Sequence, residues 1–212
     1  MPRIRKDQRV RREQQRAADT KSTILKAALS EFAAIGFDGA TTRGIANRAG
    51  VNHTLIAHHF GNKEDLWKAT ASYLFDLYAN RLTARRDSLE GVDKKTVYRL
   101  LLREFILFSA DVPEFAQFMT QTNQAGGERH RWLIDQFLRA GSDAEISVIE
   151  GAQLHKLLGP GDAYHTRFLF IGAATSIFNY ANEFRMLTGK DPFSKEVLDE
   201  HIEKVLDLFS DD

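Results

Sequence analysis

The chain has 212 residues, 43% of them hydrophobic, with 29 Lys and Arg against 29 Asp and Glu and no cysteine. That length and apolar content predict a globular protein with its own core, and the missing thiols exclude disulfides, thiolate zinc sites and cysteine nucleophiles. No run of about eighteen apolar residues is present to span a membrane, and the basic N-terminus leads into polar sequence rather than a signal peptide's apolar core, so the expected compartment is the cytoplasm.

The zero net charge hides an asymmetry. Residues 1–62 hold eleven Lys and Arg against five acids, and residues 63–212 hold eighteen against twenty-four. A basic head attracts phosphate backbones, and an acidic body discourages nonspecific wrapping by the rest of the surface. Four prolines, sparse glycines and the lack of any strong period-two alternation predict an all-α protein.

In chain order, residues 1–19 carry seven basic residues before Ala17, with only Asp7 and Glu13 against them. Three forms are open to this arm: a disordered solubilising tail, a phosphate- or minor-groove-binding arm, and an extension of the first helix. From Thr20 to Phe37 the stripe Ile24, Leu25, Ala28, Leu29, Phe32 and Ala33 predicts a helix ending at Gly36. Thr41 or Thr42 then caps a short second helix with Ile45, Ala46 and Ala49 inward, and Gly50 ends it in the left-handed conformation. A third helix, roughly Asn52 to Phe60, turns Ile56 and Phe60 inward and leaves Asn52, His53, Thr54, Ala57 and His58 outside. Small hydrogen-bonding side chains on a short, supported helix suit entry into a DNA major groove. Thr42 and Arg43 at the start of the second helix, and Lys63 at the start of the fourth, are placed to meet phosphates. His58 and His59 are neighbours whose side chains diverge around the helix, so no metal site is expected.

Asn62 caps a long fourth helix running to about Arg86. A fifth follows a break near Gly91, with Val97, Leu101, Phe105 and Phe108 in register. A sixth starts at Asp111 and reaches a loop at Gly126. A seventh runs from about Glu128 through Trp132, Leu133, Phe137 and Leu138 to Leu158, either continuous or interrupted at Gly141. After the Gly159-Pro160-Gly161 punctuation, Tyr164–Leu187 reads as one helix apolar on nearly every side, which must be covered by the core or by another subunit. A last amphipathic helix carries Val197, Ile202, Val205, Leu206 and Phe209.

The stretch Ile24–Val51, followed by His58-His59-Phe60-Gly61-Asn62-Lys63-Glu64-Asp65-Leu66, resembles the DNA-binding domain of the TetR family of bacterial transcriptional regulators. The resemblance implies an N-terminal three-helix helix-turn-helix domain (20–66) behind the arm, then a six-helix ligand-binding and dimerisation domain (67–212). In that family, residues at the places of Thr42 and Lys63 touch the DNA backbone. The commonest family pattern has a tyrosine at the place of Ala57, and a sister pattern has one at the place of His58; both are lacking here. The expected DNA contacts are Thr42, Arg43, Asn52, His53, Thr54, Leu55, His58 and Lys63. The resemblance also implies a homodimer paired through its last two helices and a pocket for a small effector. Polar groups among apolar ones make Asn123, Trp132, Asn179 and Glu183 the candidate ligand residues. No cofactor is expected.

The function so implied is a DNA-binding transcriptional regulator, a repressor released from a pseudo-palindromic operator by a small, largely apolar ligand. Activation, a regulator without an effector, and a helical adaptor that does not bind DNA stay open as alternatives. An enzyme is not expected, because no HisGluXXHis, glycine-rich phosphate loop or GlyXSerXGly is present.

Overall fold

The computed structural model describes residues 3–86 and 91–209, and every regular element among them is helical. Met1 and Pro2 of the expected arm, and residues 87–90 and 210–212 of the expected body, lie outside the described residues. The chain divides into two compact units, one of residues 1–76 and 118–124, the other of residues 77–117 and 125–212.

In the first unit α1 (Arg3–Gly39), α2 (Thr42–Ala49), α3 (Thr54–Phe60) and the start of α4 (Lys63–Arg86) enclose one core. The arm is therefore the beginning of α1, and its residues from Arg3 are helical. The inward stripe of α1 meets its prediction: Ile24, Ala28, Leu29, Phe32 and Ala33 are buried with Ile45, Ala46, Ile56, Leu66 and Trp67. Helical geometry within α1 breaks at Gly36, whose φ of 69° is one that a β-carbon opposes. A β-carbon there would also stand 3.0 Å from Gln121 Oε1 of α6 (Glu114–Ala125). Trp67 stacks on Phe118 of that helix at 5.5 Å, which is why residues 118–124 belong to the first unit.

The second unit contains the rest of α4, α5 (Lys94–Asp111), the beginning of α6, α7 (Gly127–Leu133), α8 (Arg139–Leu154), α9 (Ala163–Asn179), α10 (Ala181–Thr188) and α11 (Lys195–Leu208). Asp93 caps α5 by accepting from Thr96 N at 3.0 Å. An aromatic cluster fills the interior. Tyr78 packs on Phe108 at 4.9 Å, Phe105 on Phe170 at 5.6 Å and Phe170 on Phe209 at 5.5 Å. Buried Glu104 is neutralised by Arg81, which also donates to Asp111 at 2.6 Å. Arg167 pairs with Glu145 at 2.5 Å, tying α9 to α8. Burial and the carboxylates of Glu145 and Glu104 push the Tyr78 hydroxyl far above its usual pKa, partly offset by Arg167, so it stays neutral.

One open choice is decided and two expectations need correction. The seventh helix is not interrupted at Gly141; Gly141 lies inside α8, and the irregularity is a π turn over Ile134–Leu138. Gly126 and Gly127 form only a brief turn, because α7 starts at Gly127 itself. The expected Tyr164–Leu187 helix is two helices parted at Tyr180, with φ −103° and ψ 28°. The Tyr180 N–H still donates to the Ser176 carbonyl at 3.0 Å and the Tyr180 carbonyl accepts from Phe184 N at 2.8 Å, so one helix ends and the next starts about the same residue. Nor is this segment buried all round. Tyr164, Phe168, Leu169, Tyr180, Met186 and Leu187 are exposed, so within one chain the core does not cover them.

Candidate nucleic-acid interface

Local chemistry builds the hairpin. The Thr41 hydroxyl accepts from Gly44 N at 2.9 Å and opens α2, while Gly50, at φ 65° and ψ 30°, closes it with its N–H directed to Ala46 and Asn47 carbonyls. Across the back, Arg48 pairs with Glu31 of α1 at 2.9 Å, and the Glu31 side chain is only 15% exposed. A half-buried pair has less water to compete with than a surface one, so it contributes to holding α2 against α1.

Helix α3 starts later than the sequence suggests, at Thr54 rather than Asn52. Asn52 lies just before it and works as a cap: its Oδ1 accepts from Thr54 N at 2.9 Å and from the Thr54 hydroxyl at 2.8 Å. That use of the oxygen leaves the amide NH2 as the group Asn52 can offer an acceptor. His53 stands exposed at the N-cap without a side-chain capping bond. Thr54, Ala57 and His58 are exposed beyond it, whereas Leu55 is half-buried. Ile56 and Phe60 on the inner side are buried to 1% and 8% exposure. One helix thus combines an apolar keel with a polar outer row.

The expected divergence of His58 and His59 is smaller than helix geometry suggests, for their rings meet edge to face at 5.1 Å. Partial burial, then the charges of His58 and Lys21, hold the His59 pKa below its ordinary value. Among the described residues no group of three or more metal-binding side chains comes together.

Thr42 is half-buried and Arg43 exposed at the start of α2. Lys63 begins α4, which Asn62 caps reciprocally: Asp65 N donates to Asn62 Oδ1 at 2.9 Å, and Asn62 Nδ2 donates to Asp65 Oδ2 at 2.7 Å. The Lys63 ammonium lies over the Phe37 ring, 4.3 Å from its centroid, and Phe37 in turn stacks on Phe32. Neither the Phe37 platform nor the Asn52 cap was among the sequence candidates. The Asn-X-Thr spacing of an Asx cap is a readable signal. Phe37 offered none, because its position follows from the kink at Gly36.

The four ligand candidates are scattered over different elements. Asn123 is exposed on α6, and half-buried Trp132 on α7 meets Phe137 edge-on at 5.6 Å. Asn179 ends α9, donating to Thr175 Oγ1 at 3.1 Å, while Glu183 is exposed on α10 beyond the Tyr180 break. Asn179 and Glu183 therefore stand on two helices rather than on the single Tyr164–Leu187 helix the sequence suggests. An open depression of about 260 Å3 on α9 is lined by His165, Phe168 and Leu169 and includes none of the four.

Residues 24–70 match the model of the family described as bacterial regulatory proteins, tetR family. The chain is 28% identical over 172 residues to the HTH-type transcriptional regulator RutR of Escherichia coli K12, covering 80% of this chain and 78% of that one. It is 27% identical over 173 residues to the HTH-type transcriptional repressor NicS of Pseudomonas putida KT2440, covering 78% of each. Its fold is similar to that of AibR in complex with isovaleryl coenzyme A and operator DNA, with a TM-score of 0.71, 19% identity and coverage of 90% of this chain and 97% of that one.

Proposed function

We propose that this chain, which belongs to the TetR family of bacterial regulatory proteins and is a DNA-binding transcriptional regulator, is a repressor that leaves its operator when a small, largely apolar ligand occupies its second unit. The observation that carries the DNA-reading assignment is the outer row of α3, where His53, Thr54 and His58 are exposed on a helix seated by buried Ile56 and Phe60. Those side chains meet base edges in the major groove, and Thr42, Arg43 and Lys63 meet phosphates on either side. Thr54 and His58 offer hydrogen-bonding groups, and Ala57 offers a methyl to thymine. The protein acts in the cytoplasm as a homodimer. The exposed apolar side chains of α9 and α10 support the dimer, since a partner's surface would take them out of water.

A two-fold dimer presents its two α3 helices to successive major grooves, about 34–36 Å apart or a multiple of it, on a pseudo-palindromic site. A ligand that binds the second unit better in one arrangement of the dimer than in the DNA-bound one lowers operator affinity by linkage. AibR, with its acyl coenzyme A and operator DNA, supports the idea that this fold accommodates both kinds of ligand. α4 has residues in both units, so a ligand-driven shift at Leu77 and beyond has a covalent route toward Lys63.

A gel-shift titration against the DNA flanking the protein's own gene, repeated at several salt concentrations, tests the reading. The expected result is one preferred site whose affinity falls steeply with salt. Absence of any preferred site at every ionic strength would leave only an adaptor role.

A further inference from the structure

The N-terminal part of α1 is a surface that the helix-turn-helix assignment leaves without a task. Among its described side chains the first buried one is Ile24, yet helical backbone extends back to Arg3. Every described side chain from Gln8 to Asp19 is exposed. Arg9, Arg12 and Arg16 fall at spacings of three and four and share one face. Glu13 pairs with Arg9 at 3.0 Å, both side chains being more than half exposed, and Asp19 accepts from Gln15 at 2.9 Å. An ion pair that open to water contributes little and is readily exchanged for a phosphate. Among the described residues Arg11, Arg12 and Arg16 enter no ion pair.

We propose that this basic extension of α1 is a second DNA-contacting element, lying along the phosphates that flank each half-site. The inference rests on the reading of α3 as the base-reading helix. Its occupant is duplex DNA because the arginine face belongs to the same compact unit as α3 and because three arginines held at helical spacing match a regular row of negative charge. The sixteen residues from Gln8 to Thr23 span roughly 24 Å at 1.5 Å per residue, about seven base-pair steps of 3.4 Å. A helix with its side chains is about 10–12 Å across and the B-DNA minor groove only about 6 Å wide, so the arm follows the backbone instead of threading the groove as an extended chain does. Such contacts add affinity and salt sensitivity but no sequence preference. They also stabilise a stretch of helix that no core covers, and isolated helices of this length are marginal in water.

The test uses the full chain and an operator selected by the wild-type protein from a random duplex library. The triple variant Arg9→Gln, Arg12→Gln, Arg16→Gln is compared with wild type on two duplexes, one trimmed to the two half-sites and one extended by ten base pairs of varied sequence on each side. On the extended duplex the triple variant is expected to bind at least tenfold more weakly near 0.1 M salt. Its slope of log K against log salt should be shallower by about 2.7, three phosphates at about 0.9 each. On the trimmed duplex the two proteins should converge, and their thermal midpoints should agree because the changed side chains are exposed. Equal slopes on the extended duplex would overturn the proposal. So would a loss confined to A·T-rich flanks, which is the mark of minor-groove insertion, or a change in oligomeric state without a change in slope, which would assign the arm to a protein contact. If wild type itself selects no site, the parent reading fails and this one with it; if wild type selects a site and the slopes match, only the arm proposal fails.

Discussion

The Lys63 ammonium rests 4.3 Å from the centroid of the Phe37 ring. A cation held over an aromatic face gains about 0.5–1 kcal/mol at an exposed site and loses conformational freedom before any phosphate arrives. Phe37 therefore positions Lys63. Lys63→Gln should weaken operator binding across all sequences and lower the salt slope by about 0.9. Phe37→Leu should reproduce part of the affinity loss, about two- to fivefold for 0.5–1 kcal/mol, and add little in the Lys63→Gln background. Full additivity in gel-shift titrations of the double variant would mean that Phe37 acts only through packing.

His58 and Thr42 are expected to fail differently. If His58 meets a base edge as proposed, His58→Ala should lower affinity for the selected operator by about 1–3 kcal/mol and relax discrimination at one base position. Thr42→Ala should weaken all sequences alike. Binding profiles of both variants on a set of single-base operator changes would show which behaviour each follows.

At Gly50, a β-carbon would meet nothing within 4 Å, so any cost of substitution is conformational. Gly50→Ala should destabilise the first unit by roughly 1–2 kcal/mol for a left-handed alanine, and Gly50→Asn by less. Equal loss from the two, measured by chemical denaturation, would contradict a purely backbone origin.

Tyr164, Phe168, Leu169, Met186 and Leu187 are exposed on α9 and α10. If these side chains are covered by a second copy, Phe168→Asp buries a charge in the interface and should shift the protein to monomer in sedimentation experiments, with operator affinity falling as the dimer is lost. A dimer that persists in this variant and in Met186→Asp would place the interface elsewhere.

His201 on α11 is half-buried, its Nε2–H directed to the Ala174 carbonyl of α9 at 3.1 Å and its ring edge-on to Phe178. Burial lowers its pKa below the ordinary 6.5, an effect the carbonyl partly opposes. The folded state therefore binds this proton less readily than the unfolded chain. The stabilisation is fully present above about pH 6.5 and is lost as pH falls through the lower folded value. The thermal midpoint should be flat from pH 8 to 7 and decline below about 6.5, and His201→Gln should shallow that decline. An unchanged profile in the variant would assign the decline to other groups, among them His59, whose pKa is also lowered.

Much of the first unit was legible in the sequence because its determinants are local. A threonine before an apolar period, a glycine after it and an asparagine ahead of Lys63 are decided within four residues of chain, and all three act as their chemistry dictates. Ile24, Phe32, Ile45 and Ile56 were readable as inward for the same reason, since helical period alone assigns a face.

Only the tertiary structure decided the rest. The break at Tyr180, the π turn over Ile134–Leu138 and the continuity of α8 through Gly141 depend on what packs against each helix, and propensity is too weak to choose among such alternatives. The same holds for Phe37 under Lys63 and for Glu31 against Arg48, partners 26 and 17 residues apart. A short-range pattern says which way a side chain turns; which distant group it then meets is a matter of chain reversal, and that is specified by the whole core at once.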